Sequence, residues 1–142
     1  MSDDVIKRVL VVDDDPQTVN MMKLLLTKAD YEVLCAHSGK DALEIIDRED
    51  VLVVVTDISM PNMNGITLLR EIKHLRGMVQ VIMATASDDL ELLLQAMEGG
   101  ADDFLLKPLD LERISEAVGA AHERITRWRN VMRELFERRE AA

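Results

Sequence analysis

The sequence predicts an α/β fold, a parallel sheet whose strands alternate with helices. Two observations predict it. Five short apolar runs, most of them rich in valine and isoleucine, recur at residues 9–12, 33–35, 51–55, 79–84 and 104–106. They are apolar at successive positions rather than alternate ones, as strands covered on both faces are. Helical patterns lie between them, so strand and helix alternate five times. That order calls for right-handed crossovers and a parallel sheet.

The first run ends at Asp13-Asp14-Asp15-Pro16, where Asp15 suits a helix cap and Pro16 the first helical position. Val19, Met22, Leu26 and Ala29 then form one stripe. Ala42, Ile45 and Ile46 mark a second helix, and Leu68, Leu69, Ile72 and Leu75 a third. Leu90, Leu93, Leu94 and Met97 stand at i, i+3, i+4 and i+7, one face of a fourth helix. Asp88 and Asp110 are expected to cap the fourth and fifth.

The fifth helical pattern does not stop where the alternation ends. Ile114, Val118, Ala121, Ile125, Trp128, Met132 and Leu135 are spaced 4, 3, 4, 3, 4, 3, a heptad seam with Val118, Ile125 and Met132 at a. No proline or glycine follows Gly119. The expected organisation is a domain over residues 1–121 and a C-terminal helical extension over 122–142, a coiled coil or linker. A lone helix would leave Trp128 in water, so a partner helix is expected, most simply that of a second copy in a homodimer. An antiparallel pair, docking on another domain, and a frayed tail whose six arginines form a solvated face are the alternatives.

Composition bounds the rest. A chain of 142 residues with 48% apolar residues can bury one full core. One cysteine, Cys35, precludes an internal disulfide. The start, Met1-Ser-Asp-Asp, carries acids where a secretory leader needs a basic then apolar stretch. No run reaches the roughly 18 apolar residues of a membrane span. A cytoplasmic location away from the membrane is expected. A net charge of −10 repels nucleic-acid phosphates, so direct nucleic-acid binding by this domain is not expected.

In open parallel sheets, ligands bind beyond the carboxyl ends of the strands. Asp13-Asp14-Asp15 follows the first run, Asp57 the third, Thr85-Ala86-Ser87 the fourth, and Lys107-Pro108 the fifth. Crowded carboxylates repel one another, and a hard cation relieves this. Mg²⁺ suits a cluster that offers a few carboxylates and shares phosphate oxygens. A carboxylate can also act as a nucleophile toward phosphorus.

Taken together, Val9-Leu-Val-Val-Asp-Asp-Asp-Pro16, Thr56-Asp-Ile-Ser-Met-Pro-Asn-Met-Asn-Gly65, Ala84-Thr-Ala-Ser87 and Ala101-Asp-Asp-Phe-Leu-Leu-Lys-Pro108 resemble the receiver family of two-component response regulators. The resemblance covers about residues 7–121. It implies a flavodoxin-like (βα)5 doubly wound sheet in the order 2-1-3-4-5, which the fold's chemotaxis receivers illustrate. It implies a phosphorelay function, not an enzyme in the usual sense but a phosphoacceptor that assists its own phosphorylation and dephosphorylation. Asp57 would accept the phosphoryl group. Asp13, Asp14, Asp57 and the backbone carbonyl of Ser59 would hold Mg²⁺. Lys107 would pair with the phosphoryl group, its bond to Pro108 being cis. Thr85 would bind a phosphoryl oxygen, and Thr85 with Phe104 would switch the surface of the fourth helix, fifth strand and fifth helix. The donor would be a sensor histidine kinase or a phosphotransfer protein. Ser59 and Ser87 occupy the positions that tune hydrolysis in this family, and neither offers an amide or carboxylate to orient water.

Blander readings stand beside these. Asp15 serves as a cap, a threonine after a strand is common, and Phe104 could be plain core. His37, His74 and His122 lack metal-ligand spacing. A haloacid-dehalogenase-type phosphohydrolase also places Asp-x-Asp after a strand, but Gln17 stands where that motif wants Thr or Val. A pseudo-receiver, an interaction module without phosphorylation, usually lacks an acid or the lysine, and this chain retains them.

Overall fold

A computed structural model describes residues 7–142; the acid-rich start read above lies outside that range. The elements alternate throughout: β1 (Arg8–Val12), α1 (Pro16–Lys28), β2 (Glu32–Ala36), α2 (Gly39–Arg48), β3 (Val53–Thr56), α3 (Gly65–Leu75), β4 (Gln80–Thr85), α4 (Leu90–Glu98), β5 (Asp103–Leu106) and α5 (Leu111–Ala141). All four strand pairings are parallel, and the sheet order is β2-β1-β3-β4-β5. The expected flavodoxin-like order is therefore the one observed.

Successive strand residues face opposite layers, which explains the continuous apolar runs. Leu10, Val12, Val54, Val81 and Met83 join α2, α3 and α4 in one core cluster. Val9, Val11, Val53, Val55, Ile82 and Ala84 join α1 and α5 in the other. Each layer closes on its helices through Ala42, Ile46, Leu69 and Ile72 on one side, and Met22, Leu26, Ile114 and Val118 on the other.

Local signals set the helix starts. Asp15 accepts a hydrogen bond from Gln17 N at 3.1 Å with Pro16 following, and Asp110 accepts from Arg113 N at 2.8 Å. The cap of α4 is Asp89, not Asp88: the Asp89 carboxylate accepts from Glu91 N at 2.9 Å. Asp89 is placed for this because Ser87 Oγ accepts from its backbone N–H at 3.1 Å and turns the chain.

Three expected apolar faces need correction. In α4, Leu90 (65% exposed), Leu94 (49%) and Met97 (63%) point outward, while Ala96 is the residue buried against the sheet. Leu75 at the end of α3 is also exposed. In α5, Ile114, Val118, Ala121 and Ile125 are fully buried in the chain's own core, so the first half of the heptad seam is already covered. Trp128, Met132 and Leu135 remain exposed, and α5 crosses the expected boundary at residue 121 without a break.

Candidate functional site

The site is built from the ends of the strands. Asp57 N donates to Val12 O at 2.9 Å, Asp13 N to Ala36 O at 3.2 Å, and Lys107 N to Thr85 O at 2.8 Å. Each bond carries the sheet's ladder one residue past a strand, so three site residues leave the sheet with their backbones already fixed. β1 lies between β2 and β3, where the chain reverses its direction of strand addition, and Asp13 and Asp57 flank that crevice.

Asp13, Asp14 and Asp57 bring carboxylate oxygens within 4.8 Å of one another. Asp13 and Asp57 are buried and Asp14 is exposed. Lys107 reaches this group from the fifth strand: its Nζ lies 2.7 Å from Asp13 Oδ2 and 3.6 Å from Asp57 Oδ1. Asp13 is held in turn by Asp15 N, which donates to its Oδ1 at 3.0 Å. One ammonium thus faces three carboxylates, which leaves net negative charge in a partly desolvated pocket. Burial is the main influence on Asp57 and pushes its carboxyl above the usual range. Lys107 opposes that, Asp13 adds to it, and the backbone N–H of Ile58 opposes it.

The loop after β3 is packed tightly beneath Asp57. Gly65 N donates to Ile58 O at 2.7 Å, and a Cβ on Gly65 would stand 2.1 Å from the carbonyl oxygen of Asp57. Only glycine allows this approach, and α3 starts there with Asn64 as its cap. Thr56 Oγ1 donates to the same Asp57 carbonyl at 2.9 Å.

The other residues named from the sequence are placed as follows. Ser59 is exposed in the loop directly after Asp57 and Ile58. Thr85 is buried at the end of β4, its hydroxyl oxygen accepting from Ser87 N at 3.2 Å. Phe104 is half-buried on β5, opposite Met83. Met83 and Thr85 are two residues apart on one strand, so Thr85 and Phe104 share a face of the sheet. The Lys107–Pro108 peptide is cis. Two polar anchors at the opposite edge went unread in the sequence. Asp102 accepts from Lys73 Nζ at 2.7 Å and from Val81 N at 2.8 Å. Arg124 Nε donates to Gln80 Oε1 at 2.6 Å. Nothing local in the sequence points to either pair.

An acid cluster at the switch point of a 2-1-3-4-5 sheet, faced by a lysine from the last strand, is the arrangement of a phosphoacceptor signalling module. The chain belongs to the response regulator receiver domain family, whose pattern matches residues 9–119. It is 37% identical over 112 residues to the chemotaxis protein CheY of Bacillus subtilis, covering 78% of this chain and 93% of that one. It is 38% identical over 120 residues to the transcriptional regulatory protein ZraR of Salmonella typhimurium, covering 83% of this chain but only 27% of ZraR. The chain thus corresponds to about a quarter of that longer relative. Among solved structures, a response regulator receiver domain protein of Clostridium thermocellum superposes with a TM-score of 0.79 at 35% identity, covering 82% of this chain and 94% of that one. A CheY-like receiver of Methanospirillum hungatei superposes with a TM-score of 0.82 at 29% identity, covering 87% and 98%. Among the described residues, no helix is long and apolar enough to cross a membrane.

Proposed function

We propose that the chain is a phosphorelay receiver that takes a phosphoryl group from a phosphohistidine donor onto Asp57, in the cytoplasm. The observation that carries this reading is the convergence of Asp13, Asp14 and Asp57 within 4.8 Å, with Lys107 Nζ reaching two of them. An Asp57 carboxylate oxygen forms the new bond to phosphorus as the bond from phosphorus to the donor's imidazole nitrogen breaks, leaving that imidazole to take up a proton. Lys107 then balances charge on the transferring oxygens.

The three carboxylates fit a hard divalent cation. Asp13, Asp14 and Asp57, with the backbone carbonyl of Ser59, are the groups that would hold Mg²⁺, and when bound it supplies positive charge for the phosphoryl oxygens. Asp14 faces solvent and leaves room for retained waters.

Thr85 and Phe104 would read the modification. They share a sheet face, and Phe104 is neither fully packed nor free. A Thr85 hydroxyl drawn toward the phosphoryl group would vacate space for Phe104, shifting a pre-existing equilibrium. The surface that would change carries Leu90, Leu94, Met97 and Leu106, all at least 49% exposed. An apolar patch of this kind suits a protein partner.

Acetyl phosphate with Mg²⁺ should add one phosphoryl group to the intact protein, seen by mass. Asp57→Asn and chelation of the metal should each abolish the addition. An unchanged mass shift in Asp57→Asn would remove Asp57 from this role.

A further inference from the structure

The end of α5 carries an apolar stripe that the domain covers only in part: Trp128 and Met132 border an open groove with Gly77, Met78 and Gln80, and Leu135 and Phe136 lie beyond it. Ile125 is the last residue of the helix buried in the core. Beyond it, Trp128, Val131, Met132, Leu135 and Phe136 are between 37% and 63% exposed and fall on one side of the helix. At 1.5 Å per residue, the helix from Thr126 to Ala141 extends roughly 24 Å, its first two turns still alongside the domain.

We infer that this stripe is the interface of a homodimer in which the free ends of two α5 helices pack antiparallel. The occupant is argued from the charges that flank it. Residues 124–133 contain four arginines (124, 127, 129 and 133) and no acid; residues 134–142 contain three glutamates (134, 137 and 140) and two arginines. A parallel pair sets the four-arginine stretches side by side and places Arg139 against Arg139 in line with the seam. An antiparallel pair sets each arginine-rich stretch beside the glutamate-bearing stretch of the other copy.

A symmetry axis between Arg133 and Glu134 then gives one register. Met132 meets Leu135 of the second copy, and Arg139 lies over the Trp128 ring of the second copy, an attractive cation–π contact. The same stripe serves both chains, as a two-fold interface requires. Arg124 does not enter the seam, because its Nε is held by Gln80 of its own domain. The two domains lie at opposite ends of the paired rods. This arrangement is independent of the chemistry at Asp57.

Sedimentation of the full chain and a distance measurement test it. The chain should have twice its monomer mass at about 0.5 mM and dissociate on dilution. The double variant Leu135→Glu/Phe136→Glu, which changes exposed positions only, should be monomeric, and its melting temperature should equal the wild type's at a dilution where wild type is itself dissociated. In a Cys35→Ala background, a spin label on Glu116→Cys should report a separation of roughly 50 Å for the antiparallel pair and within roughly 25 Å for a parallel one. A monomer at 0.5 mM assigns the stripe to a different protein and overturns the inference. So does a dimer that survives the double variant, or a dimer with the short distance.

Discussion

Lys107 sits closer to Asp13 than to Asp57: its Nζ is 2.7 Å from Asp13 Oδ2 and 3.6 Å from Asp57 Oδ1. The lysine is thus held beside Asp57 more closely by a second acid than by Asp57 itself. Asp13 has a side chain only 2% exposed, and Lys107 is the cation its buried carboxylate faces. Lys107→Met should destabilise the metal-free protein by about 1–3 kcal/mol, since it strands a buried carboxylate. Part of that loss should return with Mg²⁺, which substitutes for the missing cation. Thermal melts with and without the metal measure both effects.

Asp57 has the opposite sign. Its folded carboxyl is raised, mainly by burial, so the folded chain holds a proton that the unfolded chain has already released. Stability from this group is present at low pH and lost as pH rises from the ordinary carboxylate range through the raised value. Asp57→Asn removes the charge. Without metal, its melting temperature at pH 7 should exceed the wild-type value by about 2–5 °C, with the gap closing toward pH 4.

His122 gives a separate pH effect at the other end of the molecule. It is 8% exposed and stacked on Tyr31 with ring centroids 5.6 Å apart. Burial holds its pKa below the ordinary 6.5, against a weaker opposing influence from the backbone of Arg8. The folded ring stays neutral where the unfolded one gains a proton, so this stability is present above pH 6.5 and lost as pH falls below it. Wild type should lose up to about 1 kcal/mol more than His122→Phe between pH 7 and 5.5, measured by urea unfolding.

Gly65→Ala should cost about 2–4 kcal/mol, because the new Cβ meets the Asp57 backbone and not a movable side chain. Phosphoryl uptake should slow with it. Urea unfolding and the rate of mass increase with acetyl phosphate read the two consequences.

Ser59→Asn should speed loss of the phosphoryl group several-fold, by offering an amide to an attacking water. Ser87→Ala should change the decay little, since the Ser87 hydroxyl oxygen is engaged with Asp89 N at the start of α4. The decay of the phosphoprotein's mass decides between them.

The sheet and its site were legible because each rests on local pattern. Valine-rich runs followed directly by Asp13, Asp57 or Lys107 place a group at a strand end without any knowledge of the neighbours. Direction was harder to read. Leu90, Leu94 and Met97 obey helical spacing yet face solvent, because periodicity shows that a stripe exists and not which layer it meets. The heptad from Ile114 to Leu135 has one unbroken rhythm but two environments, since its first half matches the spacing of the domain's own core. Asp88 and Asp89 are adjacent acids, and the choice between them rests on a bond from Asp89 to Ser87. Lys73–Asp102 and Gln80–Arg124 join residues 29 and 44 positions apart, with no local signature at all.

The unbroken run of α5 has a mechanical consequence. Its 31 residues contain one glycine, Gly119, and no proline, and the part beyond Ile125 has no interruption at which it could bend independently. Its first half is packed against the sheet, so any tilt there would be carried to the far end as by a lever. A 10° tilt at the domain would sweep the far end through about 4 Å, most of the rise of a helical turn. Small angular adjustments near the strand ends are thereby converted into linear travel at the tip, with little lost to a compliant joint.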